Sequence, residues 1–267
     1  MDTGSDGGDN AFAAFEAVDG DHGRGLILLC DHASNALPPR YGDLGLVAGE
    51  FQRHIAYDPG AAAVTRGLAA RLGVPAVLST FSRLIIDPNR GADDPTLIMR
   101  LSDGAIVPGN ARVDEAERAR RTQRYYAPYH AAIERTIEQG RASGKVPALF
   151  SVHSFTPVWK GVPRPWQAGV LWDLDPRLAV PLIEALRGDA TLTVGDNEPY
   201  AGALRGDTMY HHATERGLAH ALIEIRQDLI ADDAGVTAWV DRLAPILTKL
   251  NGSPEVHAVR RYGSKAD

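Results

Sequence analysis

The hydrophobic and polar positions along the chain alternate between short apolar runs and longer segments with helical periodicity. The run from Gly25 to Cys30 is uninterrupted, which is typical of a strand covered on both faces. Residues 60–72 repeat apolar side chains every four positions and end before Gly73, a pattern that predicts an amphipathic helix. The same criteria predict strands at residues 75–78, 83–86, 148–152, 169–172 and 218–225, and helices at residues 114–143, 176–187, 208–216 and 233–250.

Strands separated by helices predict a mostly parallel sheet with helices on both faces. We therefore expect an α/β fold, a three-layer α/β/α sandwich around a mostly parallel, mixed sheet. Residues 1–22 are rich in Gly and Asp and are predicted to be a disordered tail. Residues 23–267 contain no linker or repeat and are predicted to form a single domain. Ligands of such sheets bind beyond the carboxyl ends of the strands, so polar residues at those ends are the candidates for function.

Composition and charge restrict the class of protein. The net charge of -6 at pH 7 argues against a nucleic-acid partner, which usually requires a basic face. No stretch approaches the roughly 20 apolar residues of a membrane span, and the acidic N-terminus does not resemble a signal peptide. The lone Cys30 excludes an intramolecular disulfide and is expected to be a buried structural thiol. We expect a cytoplasmic protein without membrane or nucleic-acid partners.

Two histidines at the ends of separate strands suggest a metal site. A catalytic zinc ion takes three protein ligands and keeps one position open. His32 and His153 would supply two ligands. The third is Asp58, at the start of the following helix, or Asp31, although neighbouring residues of a strand point to opposite faces. Either histidine alone is more typical of a hydrogen-bonded core residue, whereas the pair favours a metal.

Glu224 is the candidate proton acceptor for a metal-activated water molecule. It shares one face of its strand with Leu222 and Arg226, and a charged pair among apolar strand residues is costly unless it has a role. A nearby cation, Arg83 or Arg226, is expected to stabilise the oxyanion. The alternative is that Glu224 is only a structural partner of Arg226.

Asn89 and Arg90 suggest a site for a substrate carboxylate. The guanidinium of Arg offers a planar fork of donors that matches a carboxylate, and the adjacent Asn adds a directional donor and acceptor. The segment Asp-Pro-Asn-Arg-Gly is also rich in turn formers, so a purely structural turn is the alternative. Ser154 and His211 are further candidates for contact with the substrate.

Five segments together resemble the N-formylglutamate amidohydrolase family: DHASNALPPRY, HIAYDPGA, FSRLIIDPNR, FSVHSF and ALIEIRQDL. The resemblance extends roughly from Leu26 to Leu247 and implies a phosphorylase/hydrolase-like fold, similar to zinc carboxypeptidases and aspartoacylase-type deacylases. It implies one zinc ion and assigns the site as follows: His32, Asp58 and His153 as zinc ligands, Glu224 as general base, and Asn89 with Arg90 as the carboxylate clamp. Asn35 stands where the carboxypeptidase relatives carry a zinc-binding glutamate, which leaves the carboxylate ligand to Asp58 or a neighbour.

The expected reaction is cleavage of the amide bond in a small substrate that bears a carboxylate. An N-formyl or N-acyl acidic amino acid is the expected substrate class, with N-formyl-L-glutamate, hydrolysed to formate and L-glutamate, as the leading candidate. Two alternatives remain open. One is a metallo-carboxypeptidase or another N-acyl amino-acid deacylase on the same scaffold. The other is a non-catalytic module that binds a small ligand.

Overall fold

The computed structural model describes residues 12–267 and is built around a seven-stranded sheet. The strands are β1 (Phe15–Val18), β2 (Leu26–Cys30), β3 (Ala76–Ser79), β6 (Ala148–Phe155), β9 (Ala168–Leu171), β10 (Val194–Asp196) and β11 (His220–Arg226). Their order in the sheet is β1-β3-β2-β6-β11-β9-β10. Two small hairpins lie outside this sheet, β4 (Leu101–Ser102) with β5 (Ala105–Ile106) and β7 (Val158–Trp159) with β8 (Val162–Pro163).

The four central strands, β3, β2, β6 and β11, run parallel to one another. β1 is antiparallel to β3, and β9 is antiparallel to β11, with β10 parallel to β9. The predicted mostly parallel, mixed sheet is therefore confirmed. Its parallel strands place their carboxyl ends at one edge, which is where the candidate residues collect.

Helices cover both faces of the sheet and complete the predicted three layers. The helices are α1 (Ala61–Leu72), α2 (Glu115–Arg121), α3 (Ala127–Ala142), α4 (Pro176–Arg187) and α5 (Asp233–Asn251). α1, α4 and α5 pack on the face that carries Leu28, Phe150 and Ile223, and α3 packs on the face that carries Leu29 and Leu149. Within residues 12–267, every helix is too short or too polar to cross a lipid bilayer.

The long helix predicted at residues 114–143 is two α-helices joined by a π-helical turn, Thr122–Tyr126. Asp114 caps its start by accepting a hydrogen bond from Glu117 N at 2.8 Å. Pro128 lies in the first turn of α3 and has no N–H to donate to the preceding turn. A wider turn before the proline is the expected accommodation, because it removes the clash without ending the helix.

Further elements also differ from the sequence-based predictions. Residues 83–86 form turns rather than a strand, although Leu84, Ile85 and Ile86 are fully buried. Side chains satisfy the first two carbonyls: Asn110 donates to Leu84 O and Arg121 to Ile85 O. The apolar run therefore reflected burial and not sheet pairing. The predicted helix at 208–216 is mainly a π-helical turn, Tyr210–Thr214, and strand β10 was not predicted.

The predicted N-terminal tail is wrong for part of its length. Phe15–Val18 forms the edge strand β1, paired with Ala76–Ser79, and Phe15 packs against the core. Residues 1–11 of the predicted tail lie outside the described residues. The assignment of residues 23–267 to one domain stays a prediction.

Close approach of a loop to the sheet shapes the functional edge. Residues 197–204 cross over β9, and a Cβ atom at Gly169 would lie 1.7 Å from Glu198 O. A Cβ atom at Gly202 would lie 2.2 Å from Trp172 N. Only glycine permits these approaches, which bring Tyr200 to the carboxyl end of β11.

Candidate active site

A cavity of about 460 Å³ opens at the carboxyl ends of β2, β6 and β11. Glu224 of β11 is in register with His153 of β6, so the two side chains lie next to each other on the same face of the sheet. Eight of the candidate residues line the cavity: His32, Asp58, Arg83, Asn89, Arg90, His153, Ser154 and Glu224. The expectation that ligands bind at the carboxyl ends of the strands therefore identified residues that are distant in the sequence and lie in one site.

Three buried donors converge on one point of the cavity wall. One donor atom each of His32, Asp58 and His153 lies within 4.8 Å of the others. His32 Nδ1 is 3.4 Å and His153 Nδ1 is 2.8 Å from Asp58 Oδ2. Two imidazoles and one carboxylate are a donor set that suits a divalent transition metal, and this group could bind one.

The far nitrogen of each imidazole contacts a second carboxylate. His32 Nε2 lies 2.7 Å from Asp87 Oδ1, and His153 Nε2 lies 2.9 Å from Asp31 Oδ2. Such a contact fixes the ring orientation and leaves Nδ1 of each ring directed at Asp58. Asp31, an alternative ligand in the sequence, therefore occupies a supporting position.

Asp31 is itself held by three hydroxyl groups. Tyr129 and Thr208 donate to Oδ1 at 2.9 and 2.6 Å, and Ser151 donates to Oδ2 at 3.0 Å. These bonds satisfy a fully buried carboxylate and stop it from rotating away from His153. This network was not predicted from the sequence, because its hydroxyls come from three separate elements.

The electrostatics of this group favour a bound cation. Burial alone would raise the pKa of Asp58, but His32 and His153 hold it well below its ordinary value. Burial would likewise lower the pKa of His153, yet the hydrogen bonds to Asp31 and Asp58 raise it well above its ordinary value. A site that holds a proton this firmly concentrates negative charge, and a divalent cation can replace that proton.

Glu224 differs from the other acidic residues of the site. It is buried, it lines the cavity, and its Oε2 has no hydrogen-bond partner among residues 12–267. Burial, reinforced by the charge of Asp58, raises the pKa of Glu224 to about 7. A carboxyl group that is not tied to the protein and whose pKa is near neutrality is suited to accept and return a proton. Arg226 does not pair with it.

The segment Asp87–Arg90 links the histidines to the candidate carboxylate clamp. Asn89 N donates to Asp87 Oδ1 at 2.9 Å, and Asn89 Oδ1 accepts from Thr208 N at 3.1 Å. Arg90 forms a hydrogen bond with Asn89 O at 3.0 Å and no ion pair within residues 12–267. Its guanidinium therefore lines the cavity with donor capacity remaining.

Arg83 lines the cavity, but its guanidinium is already in contact with two carboxylates of the protein. Its Nη2 donates to Asp87 Oδ2 at 2.6 Å, and its Nη1 lies 3.7 Å from Asp58 Oδ1. Ser154 also serves the site through the main chain, because its N–H lies 3.3 Å from Asp58 Oδ2 while its hydroxyl donates to Pro59 O.

Two candidate residues lie outside the cavity. Arg226 turns away from Glu224 and pairs with Asp228 at 2.8 Å. His211 is half exposed and lies 3.4 Å from Glu215, one turn further along the chain. Alternation along β11 predicts that Arg226 shares a face with Glu224. The strand ends at Arg226, however, and its long side chain reaches Asp228 in the following turn.

The fold and the site together define a hydrolase of the three-layer α/β class with a candidate metal centre. Residues 24–231 match the N-formylglutamate amidohydrolase family, and the chain belongs to that family. The enzyme is therefore a hydrolase that acts on amide bonds. The sequence-based resemblance is confirmed.

Two crystal structures are similar to this chain along most of its length. A gene product of Agrobacterium tumefaciens is 37% identical, with a TM-score of 0.81, and the match covers 89% of this chain and 94% of that one. The N-formylglutamate amidohydrolase of Ralstonia eutropha JMP134 is 23% identical, with a TM-score of 0.62 and coverage of 90% and 97%. At that identity the second likeness is one of fold. No curated protein sequence matches the chain.

Proposed function

We propose that the enzyme is a zinc-dependent hydrolase that cleaves the amide bond of an N-formyl or N-acyl amino acid. The observation that supports this most directly is the convergence of His32, Asp58 and His153 next to the unpartnered Oε2 of Glu224. A metal site and a proton acceptor within one cavity are what amide hydrolysis by an activated water molecule requires. Membership of the amidohydrolase family supports the same reaction class.

His32, Asp58 and His153 are the residues that would hold the metal. Their donor set fits zinc, because two imidazoles and one carboxylate leave a fourth position open. Zinc bound there would polarise the amide carbonyl and lower the pKa of a water molecule toward about 7. Asp87 and Asp31 keep the two imidazole rings in the orientation that this binding needs.

Glu224 carries the proton transfers. Its carboxylate accepts a proton from the attacking water, and the resulting carboxylic acid donates that proton to the leaving amine. Arg83 lies close to Asp58 at the same wall of the cavity and stabilises the negative charge that develops on the substrate carbonyl oxygen. Because Arg226 lies outside the cavity, we assign it no catalytic role.

Arg90 and Asn89 bind the carboxylate of the substrate. Arg90 is the cavity arginine without an ion pair among residues 12–267, and Asn89 is fixed beside it by Thr208. A charge-assisted contact to a carboxylate orients the amide bond toward the metal site before the chemical step. N-formyl-L-glutamate, the compound in the family's name, is the first substrate to test.

The test is hydrolysis of a small panel of N-acyl amino acids by metal-free enzyme with and without added zinc. We expect no turnover without metal, recovery on addition of zinc, and loss of zinc binding in a folded His153→Ala variant. A peptide with a free C-terminal carboxylate is included in the panel, because release of its last residue would indicate carboxypeptidase activity and not deacylation. Full activity of stringently metal-free enzyme would contradict the metal assignment, and ligand binding without turnover of any compound would indicate a non-catalytic module.

A further inference from the structure

The cavity offers a substrate carboxylate one strong cationic contact. Arg83 and Arg90 are the arginines that line it, and no lysine among residues 12–267 does. Arg83 is already bound to Asp87 at 2.6 Å. His54 lies 3.6 Å from Asp103, and burial lowers its pKa, so that its ring is neutral at pH 7. Arg90 thus remains for one carboxylate.

A second carboxylate would meet acidic neighbours in this cavity. Asp58, Asp103, Asp207 and Glu224 all line it. N-formylglutamate carries two carboxylates, and only one of them can use Arg90. The other would have to lose part of its hydration beside acidic side chains or apolar surface, and no second arginine or lysine free of an ion pair lines the cavity among residues 12–267, which makes its burial unfavourable.

Two aromatic side chains from separate elements line the cavity. They are Trp159 of β7 and Tyr200 of the crossing loop, and we call these two residues the aromatic wall. Their elements are separated in the sequence, so the wall is a product of the fold. The ring of Trp172, which follows β9, instead packs against the core on the other face of the sheet. Met99 and Leu204 extend the aromatic wall with aliphatic surface.

The hydroxyl group of the aromatic wall is engaged by the protein. The Tyr200 hydroxyl accepts from Arg164 Nη1 at 3.1 Å. The Arg164 guanidinium also lies 5.3 Å from the Trp159 ring and 5.0 Å from the Tyr200 ring, which fixes both rings. The wall therefore offers a ligand mainly apolar ring surface.

The size of the cavity agrees with its chemistry. Its volume of about 460 Å³ is in the range typical of sites for drug-sized ligands. N-formylglutamate has about twelve non-hydrogen atoms, well below the size of the ligands that such sites enclose. A larger apolar group would fill the remaining space and bury the aromatic wall.

We propose that the preferred substrate is an N-acyl amino acid with a single carboxylate and a large apolar group that packs on the aromatic wall. This inference rests on the proposed amide hydrolysis and narrows its substrate class. The apolar group is either the acyl group or the amino-acid side chain, since both extend from the scissile amide. Arg90 holds the carboxylate, and the wall selects for apolar surface instead of a second charge.

Four compounds test the preference and its source. N-formyl-L-glutamate and N-formyl-L-glutamine have the same size and differ by one charge. N-formyl-L-phenylalanine adds an apolar side chain, and N-benzoylglycine places the apolar group on the acyl side. We expect kcat/KM for the glutamine compound to exceed that for the glutamate compound. At least one aromatic compound should exceed glutamate by about tenfold or more, the scale on which apolar pockets discriminate.

Variants of two tryptophans connect the preference to the wall. Trp159→Ala should lower the ratio of kcat/KM for the preferred aromatic compound over the glutamine compound by about tenfold, because it removes buried apolar surface. Trp166 lies in the same segment but outside the cavity, so Trp166→Ala is the matched control and should leave the ratio unchanged. Equilibrium binding of the four compounds to the Glu224→Gln variant, measured by calorimetry, should follow the same order without turnover.

The outcomes separate this inference from the reaction itself. If N-formyl-L-glutamate is the best substrate and also binds most tightly, the inference is wrong while the amide hydrolysis stands. If none of the four compounds is hydrolysed with zinc present but the aromatic ones bind most tightly, the reaction fails and the apolar specificity stands. An equal effect of Trp159→Ala and Trp166→Ala would also overturn the assignment of the wall.

Discussion

Glu224 combines burial, exposure to the cavity and a carboxylate oxygen without a partner among residues 12–267. Replacing it with glutamine keeps the volume and shape of the side chain and removes the proton acceptor. We expect Glu224→Gln to lower kcat by roughly 10²–10⁴, which is the usual contribution of a positioned acid or base. Steady-state kinetics measure the loss of kcat. Zinc affinity then reports whether the metal site is intact, and the melting temperature reports whether the fold is intact.

The matched control for this change is Glu215→Gln, an exposed glutamate paired with His211. Its kcat should equal that of the wild type. A Glu224→Gln enzyme with near-normal kcat and bound zinc would show that Glu224 is a structural residue of β11 and that another group accepts the proton.

Arg90 is the cavity cation with capacity to bind a substrate carboxylate. Loss of a charge-assisted contact costs about 1.5–3 kcal/mol, so Arg90→Ala should raise KM at least about tenfold while kcat changes less. The contact forms before the chemical step, and the variant should therefore discriminate less between a free acid and its amide. Kinetics with paired acid and amide substrates measure this preference.

Arg205→Ala is the control for Arg90, since Arg205 is exposed and does not line the cavity. It should keep the acid-over-amide preference of the wild type. If Arg90→Ala keeps it too, the Asp-Pro-Asn-Arg segment is a turn without a role in substrate binding.

The residue types near strand ends were enough to predict that His32, Asp58, His153 and Glu224 lie together. They were not enough to predict the role of each neighbouring residue. Asp87 was seen only as part of a turn, because its contact with His32 Nε2 depends on how that turn folds back. Asp31 was considered as a ligand, and alternation along a strand cannot tell which imidazole nitrogen a carboxylate meets. Hydrogen-bond geometry decides such roles, and a linear sequence does not contain it.

At the scale of elements, apolar runs predicted the covered strands and failed where loops are buried. Leu26–Cys30 and Ala148–Phe155 are strands with helices on both sides. Residues 84–86 are equally buried, yet Asn110 and Arg121 satisfy two of their carbonyls in place of a neighbouring strand. Phe15–Val18 was missed for the opposite reason, because a short edge strand among Gly and Asp has little pattern of its own.

Behind the active site, two buried histidines tie three elements together. His130 of α3 donates from Nε2 to Pro88 O at 3.0 Å, and its Nδ1 lies 2.8 Å from His212 Nε2 in the π-helical turn. Since a carbonyl only accepts, His130 Nε2 carries a proton, and when His130 is neutral, His212 Nε2 donates to its Nδ1. This arrangement requires a neutral His130 ring and anchors the segment that carries Asn89 and Arg90.

The pair predicts a specific loss of stability in acid. Burial lowers the pKa of His130 to about 4 and that of His212 to about 2, from an ordinary value of 6.5. Between about pH 6.5 and 4 the unfolded chain binds protons that the folded chain rejects, so the free energy of unfolding falls as the pH falls. His212→Gln keeps a donor to His130 and should reduce this slope by up to about 1.4 kcal/mol per pH unit.

Denaturant unfolding at a series of pH values measures that slope. His211→Gln changes the adjacent, half-exposed histidine and should change the slope much less than His212→Gln, because burial is the main cause of the lowered pKa values and His211 a smaller one. Equal slopes for His212→Gln and the wild type would mean that the buried pair does not titrate on unfolding.

At the scale of the whole molecule, the sequence predicted three layers and a functional edge but not the strand order. Parallel β2, β6 and β11 are neighbours only in the folded sheet, although about 120 and 70 residues separate them along the chain. The site exists only when all three are in place, because His32 follows β2, His153 lies in β6 and Glu224 lies in β11. Metal binding and global folding should therefore be linked.

That linkage gives the last prediction, that zinc stabilises the chain against global unfolding. A ligand that binds only the folded state at 100 times its Kd adds about 2.7 kcal/mol to the free energy of unfolding. For a chain of this size each kcal/mol raises Tm by roughly 2–4 °C, so zinc should raise Tm by roughly 5–10 °C. Calorimetry of metal-free enzyme titrated with zinc measures the shift. His153→Ala should abolish it, whereas His211→Ala, outside the cavity, should retain it. A zinc-independent Tm in the wild type would show that these three residues do not form a metal site.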